Sequence, residues 1–368
     1  MENKNDAKIK LIVISGGGTG GPSTAPLALA AAYRRLDAAA HFLFIGNDPD
    51  LEQPLFNDDL VKLGAEYMAV PAGKWRRYFS LLNFFDFFKI ISGFLRVAVL
   101  FYKRRPDLII SAGSYASVPV VWAGRLLGAK ILIHQQDLRP GLANRLMAPA
   151  ADRLTVTFRK SVEDYRARAI LIGNPSEAGI ISDEDKQKAA KKFSLGGDRP
   201  LIFITGGGSG ALHLNRLFYP ALPLLPADWQ IIHVTGQGKD EGAPICDNYQ
   251  AIPNLAHQDM FALLSLADIV ISRAGLGILT ELSLLHKATI LIPMPNSHQE
   301  ENAAYFAENT AAVLLKEKES DSEDLAAAIL NLWQDKEWRR HLSENIAALM
   351  PADAAERGAE IMKEMLKS

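Results

Sequence analysis

Two glycine-rich segments contain the residues best suited to binding a phosphate group. The segment SGGGTGGPSTAP, residues 15–26, follows the apolar run IKLIVI, and the segment TGGGSGALHLN, residues 205–215, follows PLIFI. A glycine-rich turn between a strand and a helix brings backbone N–H groups close to an anion, where the helix dipole favours negative charge. Both segments therefore indicate a ligand that carries a phosphate or diphosphate.

The first segment also matches the fingerprint of dinucleotide-binding proteins. Gly16, Gly18 and Gly21 satisfy G-x-G-x-x-G. A nicotinamide enzyme should carry an acidic residue about 20 residues further on for the ribose, and Asp48 in FIGND is a candidate. The segment alone leaves open a nicotinamide dehydrogenase and a tight turn without a ligand. Pro22 is tolerated near a helix start, where its missing N–H would have no helical partner.

Length, charge and cysteine content exclude several classes of protein. The chain has 368 residues, which suits two domains, and its 48% apolar and 22% charged residues are typical of globular proteins. Lys and Arg total 40 against 42 for Asp and Glu, so we expect no nucleic-acid partner. Cys246 is the only cysteine, which excludes an internal disulfide or a cysteine-based metal site and favours a reducing compartment. The N-terminus lacks the features of a signal peptide and is expected to form the first strand.

Short runs rich in Val, Ile, Leu and Phe must position these segments. They are KLIVISGG, HFLFIGN, DLIISAG, KILIHQQ, RLTVTF and AILIGNP, and later PLIFITGGGSG, WQIIHVTGQG, DIVISRAG and ATILIPMP. Such runs, alternating with helical patterns, are typical of parallel strands buried on both faces. Since a strand, a glycine-rich turn and a helix open each half, we predict an α/β fold of two Rossmann-like lobes. Ligands should bind at the carboxyl ends of the strands, in a cleft between the lobes.

The order and spacing of the motifs resemble those of the MurG-type UDP-N-acetylglucosamine (UDP-GlcNAc) transferases of glycosyltransferase family 28. The resemblance covers nearly the whole chain through GGTGG, GSYASVP, HQQDLRPGLANRLMAPAADR, GNP, TGGGSGALHLN, HVTGQGK, LAHQDM, RAGLGILTE, HQEENA and PADAAERGAEI. It implies a GT-B fold with an acceptor- and membrane-binding lobe over 1–175 and a UDP-sugar lobe over 176–345. A C-terminal helix over 346–368 is expected to pack back towards the first lobe.

The resemblance also implies an activity. The family inverts configuration as it moves N-acetylglucosamine from UDP-GlcNAc to lipid I, a muramoyl-peptide on polyprenyl pyrophosphate, making lipid II for peptidoglycan. We expect a peripheral protein at the cytoplasmic face of the cell membrane, with no cofactor and no metal for the diphosphate. Two alternatives stay open: a related transferase with another lipid acceptor, and a UDP-sugar-binding homologue without activity.

The donor site is implied by motifs of the second half and by the first glycine loop. Glu281 falls where the family binds the uridine ribose, since a carboxylate can accept from two vicinal hydroxyls. His257 falls where the family contacts uracil through the backbone, and Gln299 where it contacts the sugar. Amides at a helix N-terminus would hold the diphosphate. The implied donor set is Thr19, Gly20, Gly21, Asp137, Gly208, Ser209, His257, Arg273, Leu276, Gly277, Ile278, Leu279, Thr280, Glu281, Gln299 and Asn302.

The acceptor site is implied on loops of the first half. Its residues are Gly18, Tyr115, His134 and Gln135. His134 ends the apolar run KILI, and we expect its ring to point into the predicted cleft, where it is a second candidate for catalysis.

The chain departs from the family pattern near the reacting atoms. Pro22 replaces the histidine after TGG, Glu177 replaces an arginine after GNP, HQQD replaces HEQN, and Gly208 replaces a serine. An inverting transfer needs a base for the attacking hydroxyl, and proline cannot carry a proton. Our hypothesis is that Asp137, the new carboxylate in HQQD, is that base.

Residues 73–107 combine aromatic and basic side chains. A membrane-spanning helix needs roughly 20 nearly uncharged residues, and Asp86, Lys89 and Arg96 interrupt this segment. Its helical stripe is expected to pack on the core, and comprises Phe84, Phe88, Ile91, Leu95 and Val99. Aromatic residues beside basic ones suit the interface of an anionic bilayer. We expect such contacts from Trp75, Tyr78, Phe79, Phe85 and Phe87.

Overall fold

Two parallel β-sheets organise the chain. The computed structural model describes residues 9–17, 21–71, 82–166, 168–177, 181–207 and 210–367, with the backbone alone for 82–88. The chain divides into a first unit, residues 1–177 with 353–368, and a second unit, residues 178–352.

The first unit contains a seven-stranded parallel sheet in the order β3-β2-β1-β4-β5-β6-β7. Its strands are β1 (Leu11–Ser15), β2 (His41–Gly46), β3 (Glu66–Ala69), β4 (Leu108–Ser111), β5 (Lys130–Gln135), β6 (Arg153–Val156) and β7 (Ala169–Leu171). The helices between them are α1 (Gly21–Leu36), α2 (Pro49–Leu63), α3 (Leu82–Arg104), α4 (Ser117–Leu126) and α5 (Leu142–Met147), with short 3-10 helices at Ala148–Ala150 and Arg159–Tyr165. Ile12 and Ile14 pack in the core on one face of this sheet and Val13 in the core on the other, as expected for a strand covered on both sides.

The second unit contains a six-stranded parallel sheet in the order β10-β9-β8-β11-β12-β13. Its strands are β8 (Leu201–Thr205), β9 (Gln230–Val234), β10 (Tyr249–Ile252), β11 (Ile269–Ser272), β12 (Thr289–Leu291) and β13 (Val313–Leu314). Its helices are α6 (Asp183–Lys192), α7 (Leu212–Phe218), α8 (His257–Leu266), α9 (Leu276–Leu284), α10 (His298–Glu308), α11 (Ser322–Gln334) and α12 (Lys336–Leu349), with a 3-10 helix at Tyr219–Leu224. Helix α12 continues across position 345, where a domain boundary was expected.

The last helix, α13 (Ala354–Lys367), belongs to the first unit and packs on α1. Ala355, Ala359 and Met362 are buried in the same core cluster as Leu29. The exposed ends of the two helices are joined by an ion pair between Arg35 Nη2 and Glu356 Oε1 at 2.8 Å. Because α13 covers one face of the first sheet, the C-terminal segment completes the core of the N-terminal unit.

Helix α3 buries a different face from the one predicted. Val97 and Phe101 are fully buried, whereas Ile91, Leu95 and Val99 are 41%, 57% and 58% exposed. The expectation that these three residues pack on the core is wrong, because the face that meets α4 and the sheet carries Val97 and Phe101. In the described part of the chain, no helix combines the length and hydropathy needed to cross a bilayer.

The five predicted membrane contacts are not among the side chains that the structure describes. Trp75, Tyr78 and Phe79, and the side chains of Phe85 and Phe87, lie outside the described residues.

Candidate functional site

The N-terminus of α9, at the carboxyl edge of the second sheet, presents unpaired backbone donors. Gly275 is its N-cap, with φ −72° and ψ 147°, and no side chain caps it. Leu279 donates its amide to the Gly275 carbonyl at 3.1 Å. The N–H groups of Leu276, Gly277 and Ile278 precede this bond and have no acceptor within the helix. Together with the helix dipole, these donors are suited to binding a diphosphate.

Only part of the predicted 276–280 segment can reach a ligand. Leu279 is fully buried and Thr280 is 4% exposed. The Thr280 hydroxyl donates to the Leu276 carbonyl at 2.8 Å. The prediction concerned backbone amides, and it is corrected for Leu279, whose amide donates to the Gly275 carbonyl within the helix.

Glu281 lies one turn further along α9 and meets His257 at the start of α8. The Glu281 Oε1 atom is 3.2 Å from His257 Nε2, and the two side chains are 17% and 74% exposed. The imidazole also stacks on Phe261, with ring centroids 6.4 Å apart. The structure thus brings together two residues that the sequence placed in one site, and it adds a direct contact that the sequence did not indicate.

Arg273 and Asn302 brace the edge of the second sheet from inside. Arg273 donates through Nη1 to the Ile292 carbonyl at 2.9 Å, and its Nη2 is 2.5 Å from Glu317 Oε2. Asn302 is 2% exposed and donates to the Ala274 carbonyl at 3.1 Å. The expectation that both side chains contact the donor is wrong in this structure, because their polar groups are buried and paired within the unit.

Gln299 is half-buried in the first turn of α10, where Ser297 is the N-cap. Its Oε1 accepts from the Met294 amide at 3.1 Å. Among the described residues, no hydrogen bond uses its Nε2 group. That group is a hydrogen-bond donor, and the contact with the sugar stays a prediction.

The second glycine loop packs against the loop that follows β9. Gly210 has φ +68°, and a Cβ atom there would lie 2.3 Å from the Thr235 carbonyl oxygen. Lys239 Nζ donates to the Gly210 carbonyl at 3.2 Å. Asn215 holds the same loop through Thr235 and Lys239 carbonyls at 3.0 and 2.8 Å. Gly208 and Ser209 lie outside the described residues.

His233 supports this arrangement from β9. Its Nε2 lies 3.0 Å from Asn215 Oδ1, and its Nδ1 lies 2.9 Å from the Tyr249 hydroxyl. Burial lowers the pKa of His233 to about 3, so the ring is neutral at physiological pH. Sequence reasoning missed this network, although a polar residue inside the apolar run QIIHV was an available signal.

In the first unit, a buried carboxylate lies close to Gly17. Glu52 is fully buried, and its carboxylate accepts from the Tyr67 hydroxyl at 2.8 Å and from the Asn47 amide at 3.1 Å. Asn47 in turn donates through Nδ2 to the Tyr115 hydroxyl at 3.1 Å. Asn47 Oδ1 would lie 2.4 Å from a Cβ added at Gly17. Tyr115, a predicted acceptor contact, is therefore held at the carboxyl edge of the sheet by residues that the sequence did not indicate.

His134 is a core residue. It is fully buried, with Nδ1 3.0 Å from Thr155 Oγ1 and Nε2 3.2 Å from Thr157 Oγ1. Burial lowers the pKa of His134 to about 3, and a weaker effect of Asn174 opposes this shift. The prediction that its ring faces a ligand is wrong, because both nitrogens lie against threonine hydroxyls of the neighbouring strand.

Gln135 and Asp137 differ sharply in exposure. Gln135 is 1% exposed and donates through Nε2 to Asp164 Oδ2 and to the Asp137 carbonyl, both at 3.1 Å. This corrects the prediction that Gln135 contacts the acceptor, since its amide fixes the loop after β5. Asp137 itself is exposed on that loop.

The dinucleotide alternative rested on the first glycine-rich segment and on Asp48. Gly18, Thr19 and Gly20 lie outside the described residues, and Gly21 and Pro22 are the first two residues of α1. Asp48 is the N-cap of α2 and accepts from the Leu51 amide at 3.2 Å. Capping therefore accounts for Asp48 without a ribose.

Glu177 lies where the family pattern has an arginine after GNP. Burial, with a smaller effect of Asp59, raises the pKa of the Glu177 carboxyl.

Comparisons with known proteins agree with the geometry. The model of the glycosyltransferase family 28 N-terminal domain matches residues 12–156, and that of the C-terminal domain matches residues 201–362. A relative from Lachnospira eligens is 32% identical over 89% of this chain and 92% of its own length. It is named UDP-N-acetylglucosamine--N-acetylmuramyl-(pentapeptide) pyrophosphoryl-undecaprenol N-acetylglucosamine transferase. A relative of the same name from Clostridium kluyveri is 32% identical over 84% of this chain and 88% of its own.

A solved structure is similar over nearly the full length. The crystal structure of MurG from Acinetobacter baumannii matches with a TM-score of 0.77 at 22% identity, covering 96% of this chain and 99% of that one. The predicted GT-B fold of two Rossmann-like lobes is thereby confirmed.

Proposed function

We propose, since this chain belongs to glycosyltransferase family 28, that it transfers N-acetylglucosamine from UDP-GlcNAc to a muramoyl-peptide carried on polyprenyl pyrophosphate. The observation that carries this proposal is the start of α9. Three amides without an intrahelical acceptor are followed within one turn by the Glu281 carboxylate, which is a pairing suited to a nucleoside diphosphate.

The donor is bound by its non-reacting parts. The Glu281 carboxylate accepts hydrogen bonds from the two ribose hydroxyls, and the amides of Leu276, Gly277 and Ile278 donate to the diphosphate. The same amides and the helix dipole stabilise the negative charge of the departing UDP, so the diphosphate needs no metal. The Nε2 group of Gln299 donates to a hydroxyl of the sugar.

The transfer itself requires removal of one proton. The acceptor hydroxyl oxygen attacks C1 of the sugar, the bond from C1 to the UDP oxygen breaks, and configuration inverts. Asp137 accepts the proton of the attacking hydroxyl. This role is supported by its exposure on a loop that Gln135 anchors, and by Pro22 at the position where the family carries a histidine.

Exchange of Asp137 for Asn tests the base directly. We expect Asp137→Asn to lower turnover by about 100-fold or more, because an amide cannot take the proton. Asp50→Asn, an exposed control in α2, should retain wild-type turnover. Unchanged turnover in Asp137→Asn would remove this residue from the mechanism.

The activity is tested by UDP release from UDP-GlcNAc with and without a soluble lipid I analogue, alongside equilibrium binding of UDP-GlcNAc and NAD. We expect binding of UDP-GlcNAc and release that depends on the analogue. Release only with another lipid acceptor would indicate a related transferase, and binding without release would indicate a homologue without activity. Binding of NAD in preference to UDP-GlcNAc would contradict the proposal.

We also propose that the first unit binds peripherally to the anionic cytoplasmic face of the membrane, where a polyprenyl-linked acceptor is found. Helix α3 supports this, since Leu95 and Val99 form an exposed apolar stripe with Tyr102, which is 69% exposed. Exposed basic residues, Arg96 and Lys103, lie on the same helix. Apolar and basic groups together suit an anionic interface.

Sedimentation with phosphatidylglycerol vesicles measures this interaction. We expect salt-sensitive binding that is weakened severalfold by Leu95→Ser with Val99→Ser. Val61→Ser, at a residue of α2 that is 71% exposed, is the control. Equal sedimentation of the double variant and the control would contradict docking through α3.

A further inference from the structure

A cationic pocket lies in the first unit, and the proposed function assigns no role to its arginines or its tyrosine. It is a pocket of about 500 Å³ beside α5, the 3-10 helix Arg159–Tyr165 and the start of β6. Arg145, Arg166 and Arg168 line it, together with Asp164, Tyr165 and Pro140.

The charge of this pocket is unbalanced. Among the described residues, none of its three arginines forms an ion pair. Asp164, its one carboxylate, accepts from Gln135 Nε2 at 3.1 Å. Three guanidinium groups against one carboxylate leave the pocket with an excess of two positive charges.

Hydrogen bonds hold the Nε group of Arg145 and the main chain at Arg166 and Arg168. Arg145 donates through Nε to the Pro140 carbonyl at 3.1 Å, so its two Nη groups are left for another acceptor. Arg166 is the C-cap of the 3-10 helix, with φ +51°, and donates its amide to the Glu163 carbonyl at 3.1 Å. The Arg168 amide donates to the Tyr165 carbonyl at 3.0 Å, which closes the turn.

Tyr165 supplies a further donor. Its hydroxyl is buried and has no hydrogen-bond partner among the described residues. Burial raises the pKa of Tyr165 to about 12, so the hydroxyl stays protonated at physiological pH. An unsatisfied buried hydroxyl costs free energy unless a ligand accepts from it.

We propose that this pocket binds a phosphate group. Guanidinium groups pair with phosphate oxygens in bidentate geometry, and Tyr165, which also lines the pocket, has a hydroxyl without a hydrogen-bond partner among the described residues. Two sources share this chemistry, a soluble phosphate compound and a phospholipid headgroup. Leu142 and Leu146 of α5 are 43% and 49% exposed, so acyl chains would find apolar contacts beside Arg145.

Titration calorimetry distinguishes the two sources with inorganic phosphate and with dihexanoyl-phosphatidylglycerol below its micelle concentration. We expect the wild type to bind at least one probe, and Arg166→Gln with Arg168→Gln to weaken that binding about tenfold. The control, Arg216→Gln with Lys336→Gln, removes two exposed charges from the second unit and should bind as the wild type does. Binding of inorganic phosphate assigns a soluble ligand, and binding of the lipid alone assigns a headgroup.

Equal affinity of the pocket variant and the control for both probes, or no binding by the wild type, would overturn the proposal. Tyr165→Phe keeps the shape of the ring and is the second test, should the double variant fail to fold. We expect it to keep the thermal stability of the wild type and to bind the same probe severalfold more weakly. UDP release from UDP-GlcNAc in the presence of the soluble lipid I analogue should not change in these variants, so failure here is distinguishable from failure of the proposed function.

Discussion

At the scale of single residues, Glu281 is the carboxylate proposed to bind the ribose, and it is only partly exposed to solvent. Its carboxylate is 17% exposed and lies beside the exposed imidazole of His257, so it is neither isolated in the core nor fully solvated. A partly shielded carboxylate makes stronger hydrogen bonds to hydroxyls than a fully solvated one. Arg273 and Asn302, by contrast, are buried and hold the backbone at the edge of the second sheet through the Ile292 and Ala274 carbonyls.

Exchange of Glu281 for Gln should raise the KM for UDP-GlcNAc about tenfold or more and leave kcat nearly unchanged. The expected loss is that of charge-assisted hydrogen bonds to a ribose that is remote from the reacting bond. Steady-state kinetics with the soluble lipid I analogue measures both constants. His257→Ala, which keeps the carboxylate, should change KM by less than about threefold. An unaltered KM in Glu281→Gln would contradict ribose binding at this residue.

At the scale of elements, loops that pack on one another form the carboxyl edge of the second sheet, where we propose that the donor binds. The loop after β8 meets the loop after β9 at Gly210, where a side chain would strike the Thr235 carbonyl and the Gly236 Cα atom, at 2.3 and 2.4 Å. Lys239 and Asn215 hydrogen-bond across the same contact. The glycine is therefore required by backbone packing as well as by any phosphate.

Exchange of Gly210 for Ala should destabilise the second unit by about 2 kcal/mol or more, because φ +68° and two backbone contacts oppose a Cβ. Urea unfolding measures the change. Gly277→Ala, where a Cβ would meet nothing within 4 Å, should stay within about 1 kcal/mol of the wild type. If the two variants unfold at the same urea concentration, the packing argument for Gly210 is wrong.

At the scale of the whole molecule, each unit has a buried neutral histidine on an interior strand of its sheet. His134 in β5 and His233 in β9 are both fully buried and hydrogen-bonded. Their hydrogen bonds are made by the uncharged ring, so protonation would place a charge in each core. Both units should therefore share a sensitivity to acid.

The free energy of unfolding should fall as the pH falls below 6.5. Burial lowers both pKa values from 6.5 to about 3, so between these values the unfolded chain binds more protons than the folded one. In this range each histidine lowers the free energy of unfolding by up to about 1.4 kcal/mol for each unit that the pH falls. Well above pH 6.5 it has no such effect. Urea unfolding of wild type and His233→Gln at pH 7.5, 6 and 5 measures this slope. An equal slope in both proteins would show that His233 does not carry the effect.

The sequence by itself determined the parallel α/β architecture, the helices after both glycine-rich segments and the family. These features depend on local order: apolar runs of strand length, turn residues and motifs at fixed spacing. Glu281 and Gln299 could be named as site residues for the same reason, since each belongs to a short motif.

Only the tertiary structure decided which of the predicted polar residues are buried and hydrogen-bonded within the fold. His134 meets Thr155 and Thr157, and Arg273 meets Glu317, through contacts between segments distant in the chain. The buried face of α3 was likewise decided by its packing against α4 and the sheet. Periodicity predicts that a helix has an apolar stripe. Which side chains are buried, and what they hydrogen-bond to, depends on the residues that neighbouring elements place opposite them.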